Sequence, residues 1–66
     1  MHVAVNGQQW EFSGEMNIHQ LLLELGMLID RVAVEVNYQI LDKKEYQTTF
    51  LKNGDKIEVI SFVGGG

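Results

Sequence analysis

The hydrophobic and polar positions of the first twelve residues alternate on either side of a sharp turn. Asn6-Gly7 suits a two-residue type I′ turn, because both central positions of that turn need a positive φ. The turn sets a register with three facing pairs, which are Met1 with Phe12, Val3 with Trp10, and Val5 with Gln8. The apolar residues then share one face, so we predict a β-hairpin whose Trp10 belongs to the core.

The next pattern has helical spacing. Asn17 is a favourable N-cap, and Gln20 three residues later completes a capping box. Gly26 supplies a left-handed stop. One apolar stripe lies between these signals, formed by Ile18, Leu21, Leu22 and Leu25. The stripe is too short for the sustained heptads of a coiled coil, so we interpret it as core packing.

The second half of the chain contains two clear strands. Residues 32–37 alternate with three valines inward, and residues 56–62 alternate with Ile57 and Val59 inward. The segment from 38 to 51 is irregular, with a short strand expected near Ile40 and a turn near Lys44. Residues 53–55 form a second tight turn.

This order of elements predicts the fold class. One helix must cover the apolar face of a small mixed sheet, with a hairpin before it and a returning strand at the end. We therefore predict an α+β, ubiquitin-like β-grasp fold. Its single domain spans residues 1–62, and a flexible C-terminal Gly-Gly tail occupies residues 63–66.

The last strand carries apolar residues on the face that the helix does not cover. Glu58, Ile60 and Phe62 alternate against Ile57 and Val59, although the second face of such a sheet should be mostly polar. One interpretation is a docking patch for a partner, formed by these three residues. The other is that Ile60 and Phe62 pack against the irregular segment or stand singly exposed.

Composition excludes several classes of function. The 66 residues include no Cys, which removes disulfides, thiolate metal sites, iron–sulfur clusters and a cysteine nucleophile. The net charge is −4 and there is no basic cluster, which argues against nucleic-acid binding. No apolar run is long enough to span a bilayer, and the N-terminus does not resemble a signal peptide. We expect a cytoplasmic protein that meets protein partners.

Several polar side chains are weaker candidates for chemistry. His2 and His19 are far apart in the sequence and do not form a metal-site pattern. Asp55 follows a turn glycine and suits a turn better than acid catalysis. Glu35 and Glu58 could form a surface pair facing a basic partner, although such residues more often only solvate a sheet face.

The chain ends in Gly64-Gly65-Gly66, and its only reactive group there is the terminal carboxylate of Gly66. A slim glycine tail can enter a channel that any Cβ would block. An ionised carboxylate is a poor electrophile, so it needs activation, most simply as an acyl-adenylate made with ATP. The chain has no phosphate-binding motif, so a partner must supply that step. The alternative is that the glycines are a frayed end or a cloning remnant.

The chain resembles the ThiS family, the sulfur carriers of thiazole formation in thiamine biosynthesis. Five blocks carry the resemblance: Asn6-Gly7 in its hairpin, Ile18-His19-Gln20-Leu21-Leu22, residues 32–37, residues 54–59, and Gly65-Gly66. The chain departs from the family at Tyr38, where a small or polar residue is common. It also has Lys43-Lys44 where an arginine near a proline is expected, and it contains no proline.

The resemblance implies a cycle and its partners. A ThiF-type enzyme would adenylate the carboxylate of Gly66 with ATP, and the chain itself would bind no cofactor. A sulfur relay from a cysteine desulfurase would produce a thiocarboxylate. Thiazole synthase (ThiG) would then take the sulfur. Gly65 would be the required neighbour, and Gly64 an additional glycine for recognition of the tail. On this interpretation the chain is a protein substrate and carrier, not an enzyme.

Other functions remain open at this point. The small subunit of molybdopterin synthase (MoaD) shares the fold and the Gly-Gly end, but it is usually longer. A carrier for tRNA thiolation is also compatible. A ubiquitin-like modifier would join Gly66 to lysines of target proteins. A pure binding module would keep its function after deletion of Gly65 and Gly66.

Overall fold

The computed structural model describes residues 1–62, so the predicted tail at 63–66 lies outside the described residues. The described elements are β1 (His2–Val5), β2 (Gln8–Glu11), α1 (Ile18–Glu24), β3 (Val32–Val36), β4 (Gln39–Leu41) and β5 (Lys56–Ser61), with short 3₁₀ turns at Ile29–Arg31 and Lys43–Glu45. The sheet order is β2-β1-β5-β3-β4. Among the described strands only the β1–β5 pair is parallel. The predicted mixed sheet with one main helix is confirmed.

The first hairpin has the predicted turn and register. Asn6 and Gly7 have φ values of 50° and 81°, and Val3 lies opposite Trp10. Met1 and Phe12 exchange two backbone hydrogen bonds of 2.9 Å at the open end. The Asn-Gly turn therefore agrees with the observed register of the two strands.

The prediction that Trp10 belongs to the core is wrong. Trp10 shares the inner face with Val3 but is 36% exposed. Its ring stacks on Phe12, with centroids 5.9 Å apart. The reason is size, because a seven-residue helix is about 10 Å long while five strands span roughly 19 Å. The helix covers the middle of the sheet and leaves the edge strand β2 uncovered.

Both ends of α1 are capped as predicted. The backbone N–H of Gln20 donates to Asn17 Oδ1 at 2.8 Å, and the Asn17 N–H donates to Gln20 Oε1 at 2.9 Å. At the other end Gly26 has a φ of 72°, and the Met27 N–H donates to the Leu22 carbonyl at 2.9 Å. These bonds satisfy groups that the helix cannot pair internally, so its short length is tolerated.

The core lies between α1 and the inner face of the sheet. Its fully buried side chains come from the helix and the central strands, and they are Val3, Ile18, Leu21, Leu22, Val34 and Ile57. Tyr46 and Leu51 complete it from the irregular segment, which also holds the short strand β4 expected near Ile40. Neither residue could be assigned to the core from the sequence, because that segment has no periodicity.

Two asparagine side chains hold β5 from opposite sides. Asn6 Oδ1 accepts a hydrogen bond from the Val59 N–H at 2.7 Å, and Asn6 Nδ2 donates to the Val59 carbonyl at 3.2 Å. Asn37 Oδ1 accepts from the Lys56 N–H at 2.9 Å. These side chains form hydrogen bonds with the backbone of β5 that a neighbouring strand would otherwise form. The register of β5 is therefore fixed on both of its edges.

Asp55 is a turn residue, as predicted, and the structure shows in addition that it is buried. Its Oδ2 accepts from the Lys52 N–H at 2.7 Å, and its Oδ1 accepts from Asn37 Nδ2 at 3.0 Å. Gly54 in the same turn has a φ of 89°. The carboxylate therefore joins the turn before β5 to the turn after β3, and nothing exposes it for catalysis.

Candidate docking face on the sheet

The outer face of β5 carries the predicted docking residues. Ile57 and Val59 point into the core, while Glu58, Ile60 and Phe62 alternate onto the face away from α1. Ile60 is 50% exposed and Phe62 is 56% exposed. The irregular segment therefore does not cover them, which leaves an exposed apolar surface.

The sheet register brings two more side chains onto this face. Glu35 of β3 lies directly opposite Glu58, and Ile40 of β4 lies opposite Glu35 on the other side. Ile40 is 80% exposed. We call the set formed by Glu35, Ile40, Glu58, Ile60 and Phe62 the outer-face patch. Its five members are adjacent only because β3 is paired with both β4 and β5.

Ile40 was not predicted as part of the site. Its position depends on the turn between β3 and β4, where Asn37 and Tyr38 have φ values of 52° and 71°. A tyrosine is a poor indicator of such a turn, because bulky residues rarely adopt a positive φ. The alternation of Glu35 with the flanking valines was the only sequence pattern that pointed to this face of the sheet. That pattern does not predict where β4 lies.

Neither glutamate of the patch forms a salt bridge among the described residues, although the charge of Glu58 contributes to the raised pKa of Lys56. The ion pairs found there are Lys43 with Asp30 at 2.8 Å and His2 with Glu11 at 4.0 Å. Lys56 lies two residues before Glu58, but its Nζ donates to Tyr38 Oη at 2.7 Å and stands 4.5 Å from the centre of that ring. The hydrogen bond to Tyr38 is the main reason that the pKa of Lys56 is raised.

The predicted attachment residue Gly66 and the tail glycines Gly64 and Gly65 lie outside the described residues. The last described residue, Phe62, donates its N–H to the Arg31 carbonyl at 2.8 Å. Three patch residues, Glu58, Ile60 and Phe62, are thus on or directly after β5, the strand that precedes the tail in sequence. A partner that bound the patch would also be near the start of the tail.

The other surfaces offer less chemistry. A shallow groove of about 320 Å³ lies beside α1 and is lined partly by His19, Lys43 and Tyr46. Burial raises the pKa of Tyr46, and Lys43 opposes that shift. Within residues 1–62 no group of three His, Cys, Asp or Glu side chains could hold a metal. In the same part of the chain no helix has the length and hydropathy needed to cross a membrane.

Comparison with known proteins agrees with this architecture. The model of the ThiS family matches residues 3–66. A crystal structure of the thiamine biosynthesis protein ThiS from Geobacter metallireducens superposes with a TM-score of 0.85 and 33% identity, covering all of both chains. The β-grasp prediction is thereby confirmed.

Two curated relatives differ in length. A thiazole synthase of Paramagnetospirillum magneticum is 41% identical over 66 residues, which is all of this chain but only 20% of that protein. The sulfur carrier protein ThiS of Escherichia coli K12 is 24% identical over the full length of both. The chain therefore spans a fifth of the first relative and all of the second.

Proposed function

This chain belongs to the ThiS family, and from that premise we propose that it is a sulfur carrier of thiamine biosynthesis that works through the carboxylate of Gly66. The observation that carries the proposal is the extent of the family match, which runs through residue 66 and so includes Gly65-Gly66. A small domain joined to a glycine end is what a tethered carrier needs, because the end must enter an enzyme while the domain stays outside.

The proposed cycle uses only the terminal carboxylate. A ThiF-type enzyme joins it to the AMP part of ATP and releases pyrophosphate. A persulfide that carries sulfur from a cysteine desulfurase attacks the acyl-adenylate and displaces AMP, which gives an acyl disulfide. A second thiol of the partner proteins then cleaves the S–S bond, so that a disulfide forms between the two thiols and the thiocarboxylate is released. Thiazole synthase transfers that sulfur to its substrate, and an oxygen from the substrate or from water takes its place and restores the carboxylate. The chain binds no cofactor in this cycle, because ATP is used by the activating partner.

The folded domain would contribute recognition. We assign docking to Ile60, Phe62 and Glu58, which are partly or well exposed on the strand that leads to the tail. Apolar side chains exposed together on a small domain are typical of an interaction surface. Gly64 and Gly65 would fit the narrow entrance of the partner's site, where a Cβ would collide.

One observation favours the thiazole pathway over a pterin pathway. In the Paramagnetospirillum magneticum relative, a region similar to this whole chain belongs to a protein named thiazole synthase. A second thiazole synthase, from Magnetococcus marinus, matches all of this chain at 33% identity. Fusion of a carrier-like domain to an enzyme is expected when the two act together, which supports ThiG as the acceptor.

The test is the intact mass of the chain after incubation with a ThiF-type enzyme, ATP, cysteine and a cysteine desulfurase. We expect one oxygen to be replaced by sulfur, localised to Gly66 by fragmentation. A chain lacking Gly65 and Gly66 is the matched control and should stay unmodified. An unmodified mass with an activating enzyme known to be active would contradict the proposal. Conjugates to lysines of other proteins would instead indicate a modifier.

A further inference from the structure

The strand β2 forms a free edge of the sheet. It pairs with β1 alone, and its four residues are all exposed. Met1 and Phe12 form a hydrogen-bonded pair at the end of the β1–β2 ladder, and such pairs alternate along antiparallel strands. Trp10, opposite Val3, therefore bonds to β1 as well, whereas the N–H and C=O groups of Gln9 and Glu11 point away from it. No backbone hydrogen bond from elsewhere in residues 1–62 reaches these four groups.

Two aromatic side chains lie beside this edge. Trp10 is on the inner face of the sheet and stays partly exposed, and its ring stacks on Phe12. Unpaired backbone groups next to exposed apolar side chains are a template for an added strand, which satisfies the backbone and covers one face at the same time. The edge therefore offers both kinds of contact that strand addition uses.

The edge is complementary to itself. In a two-fold antiparallel pairing centred on Trp10, Gln9 of each copy faces Glu11 of the other, and the outward N–H and C=O groups meet in pairs. A pairing centred on Glu11 would instead put two carboxylates face to face, which destabilises a sheet. A pairing centred on Gln9 would run into the turn, where Gly7 has a φ of 81° and strand geometry ends.

We propose that two copies of this chain associate through antiparallel β2 strands in the register centred on Trp10. The pairing joins two five-stranded sheets edge to edge and brings the two Trp10 rings together on the inner face. On the outer face the amide of each Gln9 can donate to the carboxylate of the opposing Glu11. Only one four-residue strand of each copy takes part, so the interface is small and the dimer is weak and transient.

The dimer has two consequences for the rest of the molecule. The strand β1 separates β2 from β5 in each copy, and the sheets join in their own plane, so the pairing does not cover the outer-face patch. The inference therefore goes beyond the proposed function and does not depend on it. Each copy also carries a net charge of −4, so the copies repel each other and added salt should tighten the dimer.

The two neighbouring glutamines of β2 test the register. Gln9→Lys puts a lysine opposite Glu11 of the second copy, twice in each dimer, and should lower the dimer Kd by about 2- to 30-fold relative to Gln8→Lys. Gln9→Glu puts like charges there and should raise the Kd by a similar factor relative to Gln8→Glu. The Gln8 variants are matched controls, because they change the net charge equally but lie opposite Phe12 of the second copy.

Sedimentation equilibrium of the full chain, up to about 1 mM and at low and high salt, gives the dimer Kd of each variant. Thermal unfolding checks that every variant is folded. Amide hydrogen exchange gives a second measurement on the wild type. We expect exchange of the Gln9 and Glu11 N–H groups to slow as the concentration rises, while that of Tyr38, near the opposite edge of the sheet, stays unchanged.

Two outcomes would overturn the inference. The first is a wild-type chain that remains monomeric up to about 1 mM at high salt. The second is a dimer whose Kd changes equally with the Gln8 and Gln9 variants, because the contact would then lie elsewhere. Sulfur transfer to Gly66 is measured separately on the intact mass, so a failure there would contradict the proposed function and leave the dimer inference standing.

Discussion

The two faces of the sheet obey different rules. On the inner face Val34 and Ile57 are fully buried and belong to the hydrophobic cluster that α1 covers. The residues that follow them in β3 and β5 point to the outer face. There Glu35 lies opposite Glu58, and Ile60 is exposed. The inner face is arranged for stability of the free chain. The outer face carries two facing carboxylates and exposed apolar side chains that the described part of the chain does not cover, so burial in the free chain does not explain its composition.

One strand belongs to both faces, so the comparison depends on its register. A slip of β5 by one residue would move Ile57 to the surface and Glu58 into the core. Asn6 and Asn37 prevent that slip by bonding the backbone of β5 at Val59 and Lys56. The difference between the faces therefore depends on two turn residues, one on each side of β5.

The largest expected effect is on the inner face. Ile57→Ala removes a fully buried side chain and should lower the free energy of unfolding by about 2–5 kcal/mol. In a domain this small, that loss is a large part of the total stability. Ile60→Ala on the outer face is the matched control and should change stability by no more than about 0.5 kcal/mol. Urea unfolding measures both, and equal losses would show that the faces do not differ.

The second effect concerns the register. Asn6→Asp removes the amide that donates to the Val59 carbonyl and puts a carboxylate oxygen against it. We expect a loss of about 1–3 kcal/mol, because buried groups of β5 lose a partner. Asn53→Asp is the control, since Asn53 uses only its Oδ1, which accepts from the His2 N–H at 2.7 Å. Thermal unfolding compares the two, and equal losses would argue against a role of Asn6 in holding β5.

The third effect is a gain in the stability of the chain. Tyr38→Gly should stabilise the chain by about 1 kcal/mol, because glycine adopts the left-handed backbone without strain. Tyr38→Phe keeps the strain and removes the hydroxyl, so it should give no such gain. Both variants should lower the pKa of Lys56, whose rise comes chiefly from the hydrogen bond to Tyr38. An NMR titration of the lysine amino groups follows that change, and an unaltered Lys56 pKa would contradict it.

The smallest expected effect concerns Asp30, which lies outside the patch and forms an ion pair with Lys43. The hydrogen bond from Lys43 lowers the pKa of Asp30. A lowered folded-state pKa means that the pair stabilises the fold above the ordinary value of 3.8, and that this contribution is lost as pH falls through the folded-state pKa.

Lys43→Met should therefore raise the Asp30 pKa, as seen in an NMR carboxyl titration. Its small effect on stability at neutral pH should disappear in acid. Lys44→Met is the control and should leave the titration of Asp30 unchanged. A difference in stability between wild type and Lys43→Met that persisted at low pH would contradict the assignment.

The sequence by itself determined the elements that depend on near neighbours. The Asn6-Gly7 turn, the capping box of Asn17 and Gln20, and the stop at Gly26 all involve residues only a few positions apart. Alternation alone also separated the inner Ile57 from the outer Glu58. These signals suffice because turns, caps and strand faces follow from local backbone geometry. The family resemblance, confirmed by the match over residues 3–66, adds the expected role of the tail.

Only the tertiary structure decided which distant residues share a surface. Trp10 alternates onto the inner face of the sheet, but α1 does not extend far enough to cover it. Tyr46 belongs to the core, although its segment shows no hydrophobic periodicity. Glu35 faces Glu58, and Ile40 joins them, because β3 pairs with both of its neighbours. These facts depend on the width of the sheet, the length of the helix and the β3–β5 pairing, whose facing residues Glu35 and Glu58 are more than twenty positions apart in the sequence. No local pattern encodes those quantities, since they are set by how the whole chain buries its apolar surface.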